Sequence, residues 1–467
     1  MKAIVFACCL IFVHVNAQEH HQQYFPPTDS LVLQQLDKWQ GFKFGLMMHW
    51  GTYAQLGVVE SWSICPEDED WCVRRGPFKN NYFAYVQAYE ALQRTFNPIQ
   101  FQPEKWAKAA KYAGMKYMVF TTKHHDGFCM FDTKETDYKI TSSQTPFASS
   151  PKANITKVLF DAFREEGFSV GAYFSKPDWH CTDYWDPTFP PVDRNPNYNL
   201  NKYPDKWNEY VDFTHKQILE LMRDYGKVDL LWLDGGWVQP MTATSPRWGY
   251  KPVHQDIYMD SLVQQARFLQ PGLIVVDRAV EGPNQNYLTP EQQIPNAPLP
   301  YPWESCMTMA NSWSYVPNDT YKSTKQLLSN LCMIVARGGN YLLNIAPNAL
   351  GEWDSIAYQR LNEIGDWMQV NSQAIYETHP VFPYEQQAEF GMWVFTENNE
   401  KTIFAIFIPN DKIKIAKLNL DLSVFRDHSF KQIEKLGEID HEHIKINKNQ
   451  ILIDVYFQEL PIVLKLN

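Results

Sequence analysis

The sequence has no surplus of basic residues. Lys and Arg number 42 against 53 Asp and Glu, a formal net charge of −11 at pH 7. Without cations to neutralise phosphates, no nucleic-acid partner is expected. No run reaches the ~20 consecutive apolar residues of a spanning helix, so no membrane span is expected either. Glycine is sparse, 21 in 467 residues, and no dinucleotide fingerprint follows the first apolar strand. Cysteine is sparse as well, at 8 residues.

Aromatic residues are what the chain has in abundance: 15% of it, including 16 Trp and 25 Tyr. Core packing can absorb such an excess, but rings can also face a ligand with apolar C–H surfaces. The first residues, "MKAIVFACCLIFVHVNAQ", combine one Lys, a short apolar run and a small-residue site. Residues 1–17 therefore read as a signal peptide that leaves Gln18 first, and export is expected, whether to the outside, a periplasm or a lysosome. Removal of Cys8 and Cys9 leaves Cys65, Cys72, Cys129, Cys181, Cys306 and Cys332. An even count in an exported chain permits disulfides, and the Cys65–Cys72 spacing suggests a loop bridge. Asn154 and Asn318 stand in glycosylation sequons.

From about Phe42 to Asn371, short apolar runs alternate with helical stretches. "FKFGLMMHW", "KYMVFTT", "FSVGAYFS", "VDLLWLD", "LIVVDR" and "NYLLNIAP" show little polar alternation, as strands buried on both faces of a parallel sheet do. "PEKWAKAAKYAG" starts with proline and stops at glycine, the usual asymmetry of helix ends. The expected fold is a (β/α)8-like, TIM-type barrel over residues 18–379. After His379-Pro380 closely spaced β segments such as "KTIFAIFIP" and "PIVLKLN" predict an antiparallel β-sandwich over 380–467.

A parallel barrel carries its chemistry where the strands end. Those ends hold His49; His124, His125 and Asp126; Tyr173; Trp232 and Asp234; and Asp277 and Arg278. Trp232 and Asp234 lie two apart and share a face. Rings that stack on C–H faces, with imidazoles and carboxylates for hydroxyls, suit a neutral polyhydroxylated ligand. The bland alternatives are structural histidines, a helix cap at Asp234 and a structural Asp277–Arg278 pair. "DGGW", however, opens no obvious helix. The histidines could also ligate a metal. Adjacent strand residues point to opposite faces, and His-x-His spacing is absent, so neither a metal nor any other cofactor is expected.

The stretches "FKFGLMMHWGTY", "TTKHHDGFCMFDTK", "DLLWLDGGW", "PWESCMTMANSWSY", "GGNYLLNIAPNALGEW" and "IGDWMQVNSQAIYET" together resemble the α-L-fucosidases of glycoside hydrolase family 29, in the same order. The resemblance implies a barrel, a C-terminal β-sandwich and retaining hydrolysis of terminal α-L-fucose from glycans. Asp234 then matches the nucleophile. His49, His124 and His125 match sugar-hydroxyl ligands, Trp232 matches a pocket wall, and Arg278 matches an arginine of the site. Glu60 and Trp62 match a Glu-Trp pair that contacts the sugar, although here Ser61 stands between them. Tyr173 matches a strand-end tyrosine, and Phe174 fills a neighbouring aromatic position.

Retention also needs an acid/base carboxyl about 5 Å from the nucleophile. Glu281, Glu291 and Glu304 follow Arg278 on a segment expected to arch over the pocket. In the family this residue sits on a variable loop ahead of the "PWE" stretch, which favours Glu291, with Glu304 as runner-up. The competing readings are a non-catalytic fucose-binding protein, which would not need two opposed acids, and a metal-dependent hydrolase.

Overall fold

The computed structural model describes residues 23–241, 251, 253–411, 413–425, 430, 432–437, 444–447 and 450–467. Residues 1–17, expected to be a signal peptide, lie outside the described residues. Seven strands form one curled parallel sheet: β1 (Phe44–Met48), β2 (Tyr117–Lys123), β3 (Ser169–Ser175), β4 (Leu230–Asp234), β5 (Ile274–Asp277), β6 (Glu304–Thr308) and β7 (Asn340–Asn344). Their order is β5-β4-β3-β2-β1-β7-β6. Side chains alternate across this sheet. Met47, Val119, Tyr173, Trp232, Val276 and Leu342 fill the interior. Leu46, Met48, Phe120, Phe174, Leu231 and Leu343 face the surrounding helices. Burial on both faces is why these strands read as unbroken apolar runs.

The barrel expectation holds, with one difference in how the sheet closes. The sequence reading placed a loop arching over the pocket after Arg278. Instead, residues 284–292 run as an irregular ladder between β5 and β6. Asp277 N donates to Asn284 O, Asn286 N to Val275 O, Glu304 N to Leu288 O and Gln292 N to Cys306 O, all within 2.8–3.0 Å. Prolines and asparagines in this stretch hid its pairing, because they read as turn residues. The base of the barrel is covered by α1 (Ser30–Phe42), whose Trp39 stacks on Tyr287 at 4.0 Å.

Seven further helices pack outside or between strands: α2 (Tyr82–Glu90), α3 (Pro103–Tyr112), α4 (Ile155–Glu165), α5 (Pro204–Asp224), α6 (Met259–Leu269), α7 (Thr324–Ala336) and α8 (Ser355–Asn371). None is long and apolar enough to cross a membrane. Beyond them, β8 (Thr378–Ala388), β9 (Gly391–Asn398), β10 (Ile403–Pro409), β12 (Ile433–Lys435) and β15 (Ile462–Leu466) make an antiparallel sheet. It faces a second sheet of β11 (Ile413–Asp421), β13 (Ile444–Asn447) and β14 (Gln450–Gln458). Trp393, Phe395 and Phe407 from one sheet and Leu418, Leu420 and Ile453 from the other share a core, which makes a sandwich.

Among the described residues all six cysteines are unbridged; Cys65 and Cys72 do come together, their thiols hydrogen-bonded rather than joined. Of the two sequon asparagines, Asn318 is exposed, whereas Asn154 caps α4 and donates Nδ2 to Tyr225 Oη at 3.1 Å.

Candidate active site

Each strand end delivers its residue for a local reason. β4 brings Trp232 inward and, two residues later, Asp234 beside it. Gly235 then turns the chain in the left-handed region (φ +89°), and a Cβ there would meet Pro177 Cδ at 2.3 Å. Tyr173 on the neighbouring strand stacks on Trp232 with centroids 5.3 Å apart and donates its phenolic hydrogen to Asp234 Oδ2 at 2.7 Å. Arg278, one residue past β5, donates Nη1 to Asp234 Oδ1 at 2.9 Å and Nη2 to Glu291 Oε2. Glu291 sits at the end of the closing ladder, where Trp313 Nε1 donates to its other oxygen at 3.2 Å.

One cavity of about 200 Å³, roughly seven water molecules' worth of space, gathers these groups. His49, Glu60, Trp62, His124, His125, Tyr173, Trp232, Asp234, Arg278 and Glu291 all line it. Ser61 does not separate Glu60 from Trp62 functionally, because Glu60–Ile64 forms a 3-10 turn that aims both inward. The Ser61 hydroxyl hydrogen-bonds His124 Nδ1.

Glu304 does not line the cavity. It is fully buried in β6 and accepts from Tyr117 Oη at 2.6 Å, Tyr287 Oη at 3.2 Å and Trp232 Nε1 at 3.3 Å. Burial pushes its carboxyl up to about 7. Phe174 faces the outer core, as strand alternation requires. Asp126 accepts from Tyr89 Oη, Asp277 pairs with Lys176, and Glu281 accepts from Gln23 N; none of the three lines the cavity.

Electrostatics divides the cavity into charged and neutral groups. Burial alone would raise the Asp234 carboxyl, but Arg278, His125 and the Tyr173 hydrogen bond hold it far below the carboxylate range. Burial lowers His49 to about 4 and His125 to about 3, and takes His124 well below its ordinary value. Burial likewise raises Glu60 to about 8, against a lowering backbone hydrogen bond from Ser314. At neutral pH the arrangement is one firm carboxylate, three neutral imidazoles and a largely protonated acid. Together with the Arg278–Glu291 pair, such a set can bond hydroxyls in both directions.

The sequence argument against a metal fails on one point. His124 and His125 do not diverge: β2 ends at Lys123, strand alternation stops there, and the two rings approach to 4.2 Å. Their ring nitrogens and an Asp234 oxygen lie within 4.8 Å of one another. These three groups could hold a cation; Asp234 Oδ1 already accepts from Arg278, while Oδ2 accepts from Tyr173 and stands 3.8 Å from His125 Nε2.

Seven liners carried no expected role: Met47, Arg194, Gly236, Trp237, Ala279, Cys306 and Trp313. Trp237 and Trp313 stood in quoted motifs without a role, and Cys306 was weighed only for disulfides. Arg194 had no signal, lying in a long loop between β3 and α5. Its guanidinium rests over Trp62 (4.9 Å) and Trp237 (5.2 Å) and is forked by Glu67.

The family model described as alpha-L-fucosidase matches residues 11–373. The chain belongs to the α-L-fucosidase family. It is 27% identical over 401 residues to the plasma alpha-L-fucosidase of Homo sapiens, covering 83% of this chain and 80% of that one. It is 26% identical over 434 residues to the alpha-L-fucosidase of Dictyostelium discoideum, covering 89% and 87%. Among solved structures, alpha-L-fucosidase isoenzyme 1 from Paenibacillus thiaminolyticus superposes with a TM-score of 0.73 at 28% identity, over 94% of this chain and 99% of that chain. A Bacteroides thetaiotaomicron alpha-L-fucosidase, solved as a trapped covalent intermediate with 2-fluoro-fucosyl fluoride, shares the fold with a TM-score of 0.71 at 21% identity, over 96% and 98%. The fucosidase family thus carries the barrel and sandwich expected from the motifs.

Proposed function

We propose that the protein is a retaining α-L-fucosidase that releases terminal α-L-fucose from glycans or oligosaccharides. The observation that carries this reading is Arg278 bonded at once to Asp234 and Glu291, two carboxylates facing one small polar cavity. Asp234 attacks the anomeric carbon as the glycosidic C–O bond breaks, and Glu291 gives its proton to the departing oxygen. In the second half, Glu291 takes a proton from water, the water oxygen bonds to the anomeric carbon, and the ester to Asp234 breaks. Fucose leaves with its configuration retained. His49, His124, His125, Glu60 and Trp62 bond or wall the sugar, while Trp232 and Tyr173 hold Asp234 in place. Neither step draws on a metal or an organic cofactor.

Glu304 is not in this scheme, since its three donors tie it into the barrel interior. Residues 1–17 would direct export, which N-terminal sequencing of the mature chain checks by a start at Gln18. The decisive experiment is turnover of a chromogenic α-L-fucoside, with the first-formed sugar anomer read by NMR. α-Fucose appearing first supports double displacement, and β-fucose appearing first excludes it. Binding of fucose without turnover on any fucosylated substrate supports the non-catalytic reading. Activity lost on dialysis against chelator and restored by a divalent cation supports the metal-dependent one.

A further inference from the structure

A second cavity lies at the opposite end of the barrel from Asp234. It measures about 840 Å³ and opens where the chain enters β1, β2 and β7 and where β8 begins. Lys43 precedes β1, Lys116 precedes β2, Gly338 precedes β7, and Thr378 starts β8. The five residues of β1 separate this end from His49 by about 17 Å.

Lys43 is 3% exposed and lines this cavity. Its backbone is pinned in the left-handed region (φ +60°), and its carbonyl accepts from Tyr341 N at 2.7 Å. Among the described residues, no carboxylate or hydrogen-bond acceptor reaches Nζ, and burial is the one influence on its ionisation. That burial brings the amine down to about 8, so it stays largely protonated at neutral pH. A buried ammonium without a counter-charge is costly, and structures normally pair one.

Among the described residues the neighbouring cations form no ion pair either. Lys116 Nζ stands over the Tyr376 ring at 4.5 Å and Lys38 Nζ over the Phe42 ring at 5.8 Å, so rings rather than carboxylates hold them. The acids in the lining, Asp37 and Glu377, are exposed at the rim, and His379 is engaged by Glu397 at 2.9 Å. Lys43 is therefore the one deep charge of the cavity, while Lys38, Lys116, Asp37 and Glu377 are exposed around it.

We infer that this cavity is a second binding site, for an oxyanion group (phosphate, sulfate or carboxylate) held by Lys43 with Lys116 and Lys38. The group arrives either as a free anion or as a substituent on a larger molecule. The inference is independent of the fucosidase reading, because none of these residues lines the active-site cavity.

The test uses the full chain at fixed ionic strength, with chloride replaced by inorganic phosphate or sulfate. Thermal unfolding and calorimetry read binding, and parallel arms use glucose 6-phosphate and galactose 6-sulfate to separate free anion from substituent. The wild-type protein is expected to show a saturable rise in Tm with phosphate or sulfate. Lys43→Met should lose that rise and start from a higher Tm, since an uncompensated charge has been removed. Lys116→Gln, an exposed change that leaves the fold in place, should weaken binding roughly tenfold. Turnover at Asp234 should not change in either variant. Tighter binding of the sugar esters than of free anions identifies a substituent as the ligand. A response no greater than that to chloride overturns the site. So does a saturable rise that survives unaltered in Lys43→Met, or in Lys116→Gln should the first variant fail to fold.

Discussion

Tyr173 donates its phenolic hydrogen to Asp234 Oδ2 at 2.7 Å while its ring stacks on Trp232 two residues upstream. The carboxylate is thus fixed by a side chain that is itself fixed by the barrel interior, and Arg278 takes the other oxygen. A nucleophile so held has little freedom to lose on reaching the transition state.

Replacing Asp234 by Ala should therefore lower kcat by roughly 10³ or more, about 4 kcal/mol of transition-state stabilisation. The fold should persist, because the residue ends a strand and contributes no apolar side chain to the core; its loss deprives only Tyr173 and Arg278 of an acceptor. In the wild-type protein, 2-fluoro-fucosyl fluoride should leave a covalent tag that peptide mass mapping places on Asp234. A tag on another residue refutes the nucleophile assignment.

Glu291→Ala should cost roughly 10²–10⁴ in kcat with a poor leaving group, the usual worth of general acid catalysis, and far less with an activated aryl fucoside. Added azide should restore turnover and yield the α-fucosyl azide, since the nucleophile remains in place. Glu304→Gln is the contrast. It removes a buried acceptor from Tyr117, Tyr287 and Trp232, so its effect should fall on stability, without azide rescue. Azide rescue of Glu304→Gln rather than Glu291→Ala would exchange the two assignments.

Much of this site was legible because strand ends have a grammar. Trp232 and Asp234 share a face by spacing alone, and His49 and Tyr173 stand where apolar runs stop. What escaped was set by tertiary contacts that no local pattern encodes. The 284–292 ladder reads as a loop because its hydrogen bonds go to β5 and β6 rather than to a neighbour in sequence. His124 and His125 converge because β2 has already ended, a boundary that "TTKHHDGF" does not mark. Arg194 arrives from an irregular loop, where only packing against Trp62 and Trp237 defines its place.

Arg278→Met should move the acid limb of kcat/KM upward. With the guanidinium present, Asp234 stays ionised well below the range in which His49 protonates, near 4, so that imidazole sets the limb. Without it, burial is the largest remaining influence on the carboxyl and acts to raise it. Arg278 also acts to lower His49, so its loss raises that imidazole together with the carboxyl, and the limb moves up with whichever of the two is higher. The pH profile of the variant measures it. An unmoved limb at reduced rate would mean that Arg278 orients the sugar or Glu291 without setting the ionisation of its neighbours.

Glu60 gives a prediction about stability rather than rate. Its carboxyl is 2% exposed and is raised from 4.5 to about 8 in the folded protein. The folded state thus binds this proton more tightly than the unfolded chain does. The resulting stability is fully present below pH 4.5 and is lost as pH rises through about 8. Glu60→Gln has no proton to hold, so its stability lacks this component. Urea unfolding of both proteins should show the wild type losing about 1.4 kcal/mol per pH unit relative to the variant between those limits. The lowered imidazoles of His49 and His125 act with the opposite sign, destabilising the fold as pH falls below the ordinary histidine range, but they are common to both proteins and cancel in the difference. A difference that does not vary with pH would show that Glu60 ionises in the folded protein as it does in the unfolded chain, and so holds no proton at neutral pH to donate to a sugar hydroxyl.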